Sequence, residues 1–319
     1  MRFGIIDTVL ANKWVERGII TSMIVVVGMI LFTPNYPVIS KFAAHAFEAV
    51  LLFIGSAMAF MILKKPKIMY TCLAMGAVLS VYLKAKSNSG IISFLNKTTD
   101  NFTICQVLIN SGADQYDNIT TTLLQSDADI IQIQEITPDW LDVLKNSLEE
   151  SYKYHAELNR IDPYGMVIYS KFPIFKIDTL LYADTISNYT LPALQIGLDI
   201  RGKHVDFIAC HMLPRLNTND FNKVQEFLTM ITGTIISNTE KNIIFSGELG
   251  LTPWDYALQK MINESGMQLS RREPHLFVQP FEHILYTNSI ECHWLKEVLA
   301  PGRNHIGIQG EYSFSKPAQ

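Results

Sequence analysis

Cysteine is scarce and unpatterned: Cys72, Cys105, Cys210 and Cys292 lie far apart, with no Cys-x-x-Cys pair among them. That spacing indicates neither a thiolate zinc site nor a disulfide framework. Cys72 sits in an apolar run, and Cys105 and Cys210 sit inside strand-like runs, so they read as small buried hydrophobes. Charge is sparse too, at 18% of residues, and it is divided unevenly. Up to Lys86, nine Lys and Arg stand against three acids, Asp7, Glu16 and Glu48, so the overall net charge of −4 leaves the remainder distinctly acidic. An acidic remainder lacks the clustered cations that displace counterions from a nucleic-acid backbone, which disfavours duplex nucleic acid as a partner. A small or neutral-headed substrate fits better. The first apolar segment has no convincing small-x-small cleavage site, which argues against a removable signal peptide.

What the chain has in excess is apolar residues, 48% of the total, and they crowd the first third. Gly18 to Phe32, Phe42 to Leu63 and Ile68 to Leu83 follow one another through short loops. The second has the roughly 20 residues a spanning helix needs, and the others reach it when flanking residues are included. The expectation is a membrane anchor over residues 1–86 with three transmembrane helices at about 18–38, 42–63 and 68–84, then a polar linker over 87–101. With the N-terminus inside, six Lys and Arg fall on the inner segments and three on the outer ones, and this bias sets the orientation. Three crossings place residues 102–319 outside the cytoplasm. In a bacterium this means an inner-membrane protein with a periplasmic C-terminal domain.

That domain is organised around Asp127 to Trp140, which reads Asp-Ala-Asp-Ile-Ile-Gln-Ile-Gln-Glu-Ile-Thr-Pro-Asp-Trp. The β-branched run Ile130, Ile131, Ile133 predicts a buried strand, and it ends on the polar pair Gln134-Glu135. Pro138 marks the start of a helix, so Glu135 falls at the C-terminal edge of a strand, where α/β folds place their sites. By the same reasoning Phe102 to Ile109, Tyr164 to Tyr169, Leu191 to Ile200, His204 to Cys210, Ile243 to Phe245, Ile284 to Tyr286 and Ile306 to Ile308 are strands. Gln115 to Gln125, Trp140 to Leu148 and Phe221 to Ile235 are helices. Alternation of this kind gives a mixed sheet with helices outside.

Several of these strands meet polar clusters at their ends: His211 after Cys210, Gly247-Glu248-Leu249-Gly250 after Phe245, Glu282-His283 before Ile284, and Arg303-Asn304-His305 before Ile306. Carboxylates for a hard cation together with imidazoles to move protons are what metal-assisted hydrolysis requires. In order and spacing these clusters resemble the endonuclease/exonuclease/phosphatase superfamily, and the likeness covers about Phe102 to Phe314. The preceding helices resemble a bacterial subgroup in which the domain follows a small membrane anchor. The resemblance implies a DNase I-like four-layer α/β sandwich and a phosphoesterase that uses Mg²⁺ or Mn²⁺. Glu135 and Asn304 are then metal ligands, with Gln106 as a possible further one. His211, Glu248, Glu282 and His305 form the catalytic set, with Glu248 also placed to help hold the metal.

The departures from the family pattern bear on that implication. Gln106 stands where the family has Asn, and Gly247-Glu248-Leu249-Gly250 replaces Gly-Asp-Leu-Asn, removing the phosphate-contacting amide at Gly250. Glu282-His283-Ile284 replaces Asp-His-Val, and Arg303-Asn304-His305 replaces Ser-Asp-His, exchanging a charged ligand for a neutral one. Loss of one preorganised donor costs on the order of 10²–10³ in rate, so impaired hydrolysis is expected. Two readings follow: a divergent phosphoesterase acting on a small phosphate ester or lipid headgroup, or a non-catalytic module binding a phosphate-bearing ligand or a protein at the membrane.

Overall fold

A computed structural model describes residues 12–32, 36–87, 100–109, 116–184, 189–212, 218–270, 281–301 and 303–315. They fall into two compact units: Met1–Ser89 with Thr252–Gln259 and Glu273–Pro280, and Gly90–Leu251 with Lys260–Arg272 and Phe281–Gln319.

The first unit contains four described helices, α1 (Lys13–Phe32), α2 (Pro37–Ala44), α3 (Ala46–Ile62) and α4 (Pro66–Lys86). α2 and α4 open on proline, whose missing N–H costs nothing in a first helical turn. The expected first span over 18–38 instead ends at Phe32, because Pro37 starts a helix of its own. α1 and α4 are long and apolar enough to cross a membrane, whereas α3, also apolar, is shorter. Val27, Phe53, Cys72 and Leu79 form the core of this unit, joined by Trp254. The Trp254 indole N–H donates to the Ala43 carbonyl at 2.6 Å, and the Ser40 hydroxyl donates to Asp255 at 3.0 Å. These bonds explain why Thr252–Gln259 groups with the helices.

The second unit is built on two six-stranded mixed sheets. One runs in the order β11 (Ile290–Ala300), β12 (Arg303–Phe314), β1 (Phe102–Leu108), β2 (Ile130–Gln134), β4 (Met166–Ser170), β3 (Tyr154–Leu158). The other runs β5 (Ile174–Asp184), β6 (Tyr189–Ile200), β7 (Lys203–Cys210), β8 (Ile243–Glu248), β10 (Glu282–Tyr286), β9 (Gln268–Leu269). Sequence pattern reads a single mixed sheet; the chain makes two, which is the layering that the family resemblance implies. Ile104, Ile130, Ile196, Phe207 and Ile284 belong to the shared core of the two sheets. A second cluster packs Ile131, Ile133 and Val107 under α5 (Tyr116–Ser126) and α6 (Pro138–Leu148) through Leu123, Trp140 and Leu144.

Each sheet contains one parallel pair, β1 with β2 and β7 with β8. A parallel connection needs a crossover, supplied by α5 in the first case and α7 (Thr218–Ser237) in the second. Two parallel pairs present strand C-termini, and the polar clusters of the sequence stand there.

Candidate active site

The floor of the site is a set of buried amides that bond the two sheets together. Gln134, the last residue of β2, is fully buried, and its side-chain oxygen accepts from Gln106 Nε2 at 3.3 Å and from the Glu248 backbone N–H at 3.1 Å. Its side-chain N–H₂ donates to the Cys210 carbonyl. Gln106 accepts from the Ser246 hydroxyl at 3.2 Å, and Gln132 donates to the Ser246 carbonyl at 3.1 Å. One glutamine thus fixes the ends of β7 and β8 relative to β1 and β2. Buried amides persist only when paired, so this register is strongly specified. Gly247 is required by the same closeness, because a Cβ there would lie 1.9 Å from the Cys210 carbonyl oxygen.

Above this floor stand five of the expected residues, Glu135, His211, Glu248, Glu282 and His305. Glu135 follows β2 with φ +56°, a left-handed conformation that costs a non-glycine residue roughly 1–2 kcal/mol. α6 begins immediately afterwards: Thr137 caps it by accepting from the Trp140 N–H, and Pro138 occupies its first turn. The strained residue directs its carboxylate to His211, whose Nε2 donates to Glu135 Oε1 at 3.1 Å. His211 is only 2% exposed and lies beside Tyr164, ring centroids 6.3 Å apart. Its Nδ1 faces Glu248 Oε2 at 3.9 Å, and neither atom has a hydrogen-bond partner among the described residues. The Met212 N–H donates to the Glu248 carbonyl at 2.9 Å, holding the two segments side by side.

Burial pushes the Glu248 carboxyl up to about 7, with further upward pressure from Glu282 and Glu135 and an opposing pull from His211 and His305. Near neutral pH this group therefore holds a proton about half the time. The protonated form is the one compatible with an imidazole lone pair on Nδ1. Glu248 and Glu282 are directly opposite each other across the β8–β10 ladder, an arrangement that penalises two ionised carboxylates.

Glu282 in turn accepts from His305 Nε2 at 2.7 Å. His305, near the start of β12, has Glu297 Oε2 of β11 3.8 Å from its Nδ1. The two imidazoles are alike in form: each has one close carboxylate at Nε2 and a more distant one at Nδ1. They differ in access, because His305 is 20% exposed.

Sequence reasoning missed Glu297. Its strand alternates apolar and charged residues with no continuous apolar run to announce it. The other departures from expectation concern the metal. Gln106 belongs to the floor, with both ends of its amide engaged there. The Asn304 side chain lies outside the described residues. Gly250 adopts φ +59°, a conformation that favours glycine. Among the described residues no group of three His, Cys, Asp or Glu is arranged to hold a metal ion. Glu135 Oε1 is bonded to an imidazole instead, so the described side chains do not gather the carboxylate oxygens that, completed by water, a hard divalent cation takes at about 2.0–2.6 Å. His283 is structural: its Nε2 donates to the Leu251 carbonyl at 2.6 Å. His293 bonds the Ser313 hydroxyl at 2.7 Å, and His155 packs on Tyr169.

Residues 105–233 match the model of the Endonuclease/Exonuclease/phosphatase family, a range that includes Gln134-Glu135 and His211 and stops short of Glu248, Glu282 and His305. No curated protein matches the chain. Among solved structures, an endonuclease/exonuclease/phosphatase from Beutenbergia cavernae is similar with TM-score 0.57 at 12% identity, over 68% of this chain and 72% of that one. The human Nocturnin catalytic domain with bound sulfate aligns with TM-score 0.57 at 12% identity, over 70% of this chain and 97% of its own. A mannosyl-6-phosphatase from Bacteroides thetaiotaomicron aligns with TM-score 0.55 at 12% identity, over 67% of this chain and all of its own. At such identities the likeness establishes the fold: a DNase I-like α/β sandwich.

Proposed function

We propose that this chain is a membrane-anchored protein that handles a phosphate ester, a small molecule or a lipid headgroup, with hydrolysis impaired relative to proteins of the same fold. The observation that carries the reading is the His305–Glu282 pair, 2.7 Å apart at strand ends beside Glu248. An imidazole oriented by a carboxylate is the usual device for moving a proton during ester hydrolysis. With Nε2 donating to Glu282, the His305 imidazole is the group to take a proton from an attacking water or hydroxyl and return one to the leaving oxygen, provided that a bound ligand opens its Nδ1, which is buried and faces Glu297 Oε2 at 3.8 Å. Glu248, its carboxyl raised to about 7, is a second group able to give or take a proton near neutrality.

Two features support impairment. Gly250 has no side chain with which to contact a phosphoryl oxygen. Glu135 is bonded to His211 rather than gathered with other oxygen donors. These same features favour the second reading, a non-catalytic module that retains a phosphate-bearing ligand. Membrane anchoring is supported by α1 and α4, and by apolar side chains that face outward from the helices: Leu52, Ile62 and Val81 are 69%, 70% and 70% exposed. The bias of Lys and Arg supports a cytoplasmic N-terminus and, with three crossings, a domain outside the cytoplasm, which in a bacterium means an inner-membrane protein with a periplasmic domain.

The test is to assay the full chain in detergent on bis(p-nitrophenyl) phosphate and a phospholipid panel, with Mg²⁺, with Mn²⁺ and with EDTA, beside His305→Ala and Glu135→Ala. Turnover lost in His305→Ala supports the hydrolase. Equal background in all three proteins leaves only the binding module. The orientation is tested by a C-terminal alkaline phosphatase fusion, expected to be active; an inactive fusion contradicts it.

A further inference from the structure

We propose that this site keeps no resident divalent cation, because the His211 imidazole occupies the place between Glu135 and Glu248 where such an ion would have to bind them. The inference rests on reading this cluster as the phosphate-handling site.

A hard cation bonded to two carboxylates draws their oxygens to within roughly 5 Å of one another, since each bond is about 2.0–2.6 Å long. Here the ring stands in that space: Nε2 bonds Glu135 Oε1 at 3.1 Å, and Nδ1 faces Glu248 Oε2 at 3.9 Å. The ring cannot swing away into solvent, being 2% exposed and set beside Tyr164. Its backbone is equally constrained. The Cys210 carbonyl accepts from Gln134, and the Met212 N–H bonds the Glu248 carbonyl, so the residues on both sides of His211 are fixed to the β2 and β8 ends.

No third donor compensates among the described residues. Gln106 spends its amide oxygen on Ser246 and its N–H₂ on Gln134 and is fully buried. Glu282 bonds His305 at 2.7 Å. Gly250 has no side chain to offer. A cation shared between Glu135 Oε1 and Glu248 Oε2 would break the Glu135–His211 bond and leave a buried imidazole nitrogen without its acceptor, which opposes binding there rather than assisting it.

The experiment uses the full chain in detergent micelles, with Mn²⁺ followed by electron paramagnetic resonance. The expected free-ion signal equals that of buffer up to about 1 mM Mn²⁺, far above the concentrations that saturate sites built from several carboxylates. Stoichiometric Mn²⁺ uptake that disappears in Glu135→Gln overturns the proposal; uptake unchanged by that substitution lies elsewhere and leaves it standing. A parallel measurement needs no variant. In ¹⁵N-histidine-labelled protein, Mg²⁺ should leave the His211 ring nitrogens unshifted, and a shift on adding Mg²⁺ would mean that the ion displaces Glu135 from Nε2. Failure of the phosphate reading is distinguishable, because it appears as absent binding of inorganic phosphate both in EDTA and with Mn²⁺.

Discussion

The two imidazoles of the site are built alike and placed differently, and the contrast separates structure from chemistry. His211 lies 2% exposed between Glu135 and Glu248, over an amide floor that fixes its neighbours. His305 has Glu282 and Glu297 in the same relation but is 20% exposed. A sealed imidazole between two acids is placed to hold a site together; one that is partly exposed and held by a carboxylate can meet a ligand by one ring edge, although its Nδ1 is buried. The family resemblance gives both residues chemical roles, and burial is what divides them.

The sharpest way to break this contrast is to remove the sealed ring. His211→Ala should lower stability by about 1–3 kcal/mol, because it empties a sealed position and leaves the part-buried carboxyls of Glu135 and Glu248 without their imidazole. A thermal melt of the full chain in detergent checks this, and a change under about 1 kcal/mol would erase the distinction. The more exposed ring should differ in chemistry: His305→Ala lowers any phosphodiester turnover about 100-fold, with some stability lost as well because the buried Glu282 loses its partner.

Glu248 sharpens the comparison through pH. Burial raises its folded-state value from 4.5 to about 7, so the folded chain holds this proton more tightly than the unfolded chain. The resulting stabilisation is complete below about 4.5, is withdrawn as pH climbs from there, and is gone above about 7. Glu248→Gln should therefore flatten the pH dependence of melting across that window by on the order of 2 kcal/mol. A dependence as steep as the parent's would place the effect elsewhere. The smallest effect belongs to the helical unit. Trp254→Phe keeps the buried ring but removes the donor to Ala43, costing about 1 kcal/mol in the same melts.

The sequence made the centre of each sheet legible because its strands are nearly continuous apolar runs. Ile130–Gln134 was readable, and Lys203–Cys210 nearly to the residue. The edges were not. β5 alternates exposed Ile177 and Leu181 with charged Lys176 and Asp178, and β11 mixes Glu and Lys into its run, so neither carries the buried-strand pattern. Without β11, Glu297 had no place in the site. The first expected span reaches residue 38 only by adding flanking residues to the apolar run Gly18–Phe32, and the helix itself ends at Phe32, before the new helix that Pro37 begins.

At the site, the residues at strand ends could be named from order and spacing, but their pairing could not. Glu135 and His211 are 76 positions apart, and nothing in either segment says that their side chains meet. Gln134 was visible as half of a polar pair, yet its work of joining three strand ends requires both sheets in place.

The central claim is that His305 and Glu282 handle a phosphate group without a resident cation. Calorimetric titration of inorganic phosphate into the full chain in detergent and EDTA tests it most directly, with His305→Ala alongside. Saturable binding that weakens at least about tenfold in the variant is the predicted result. Binding that is absent in EDTA and appears only with Mn²⁺ would contradict it.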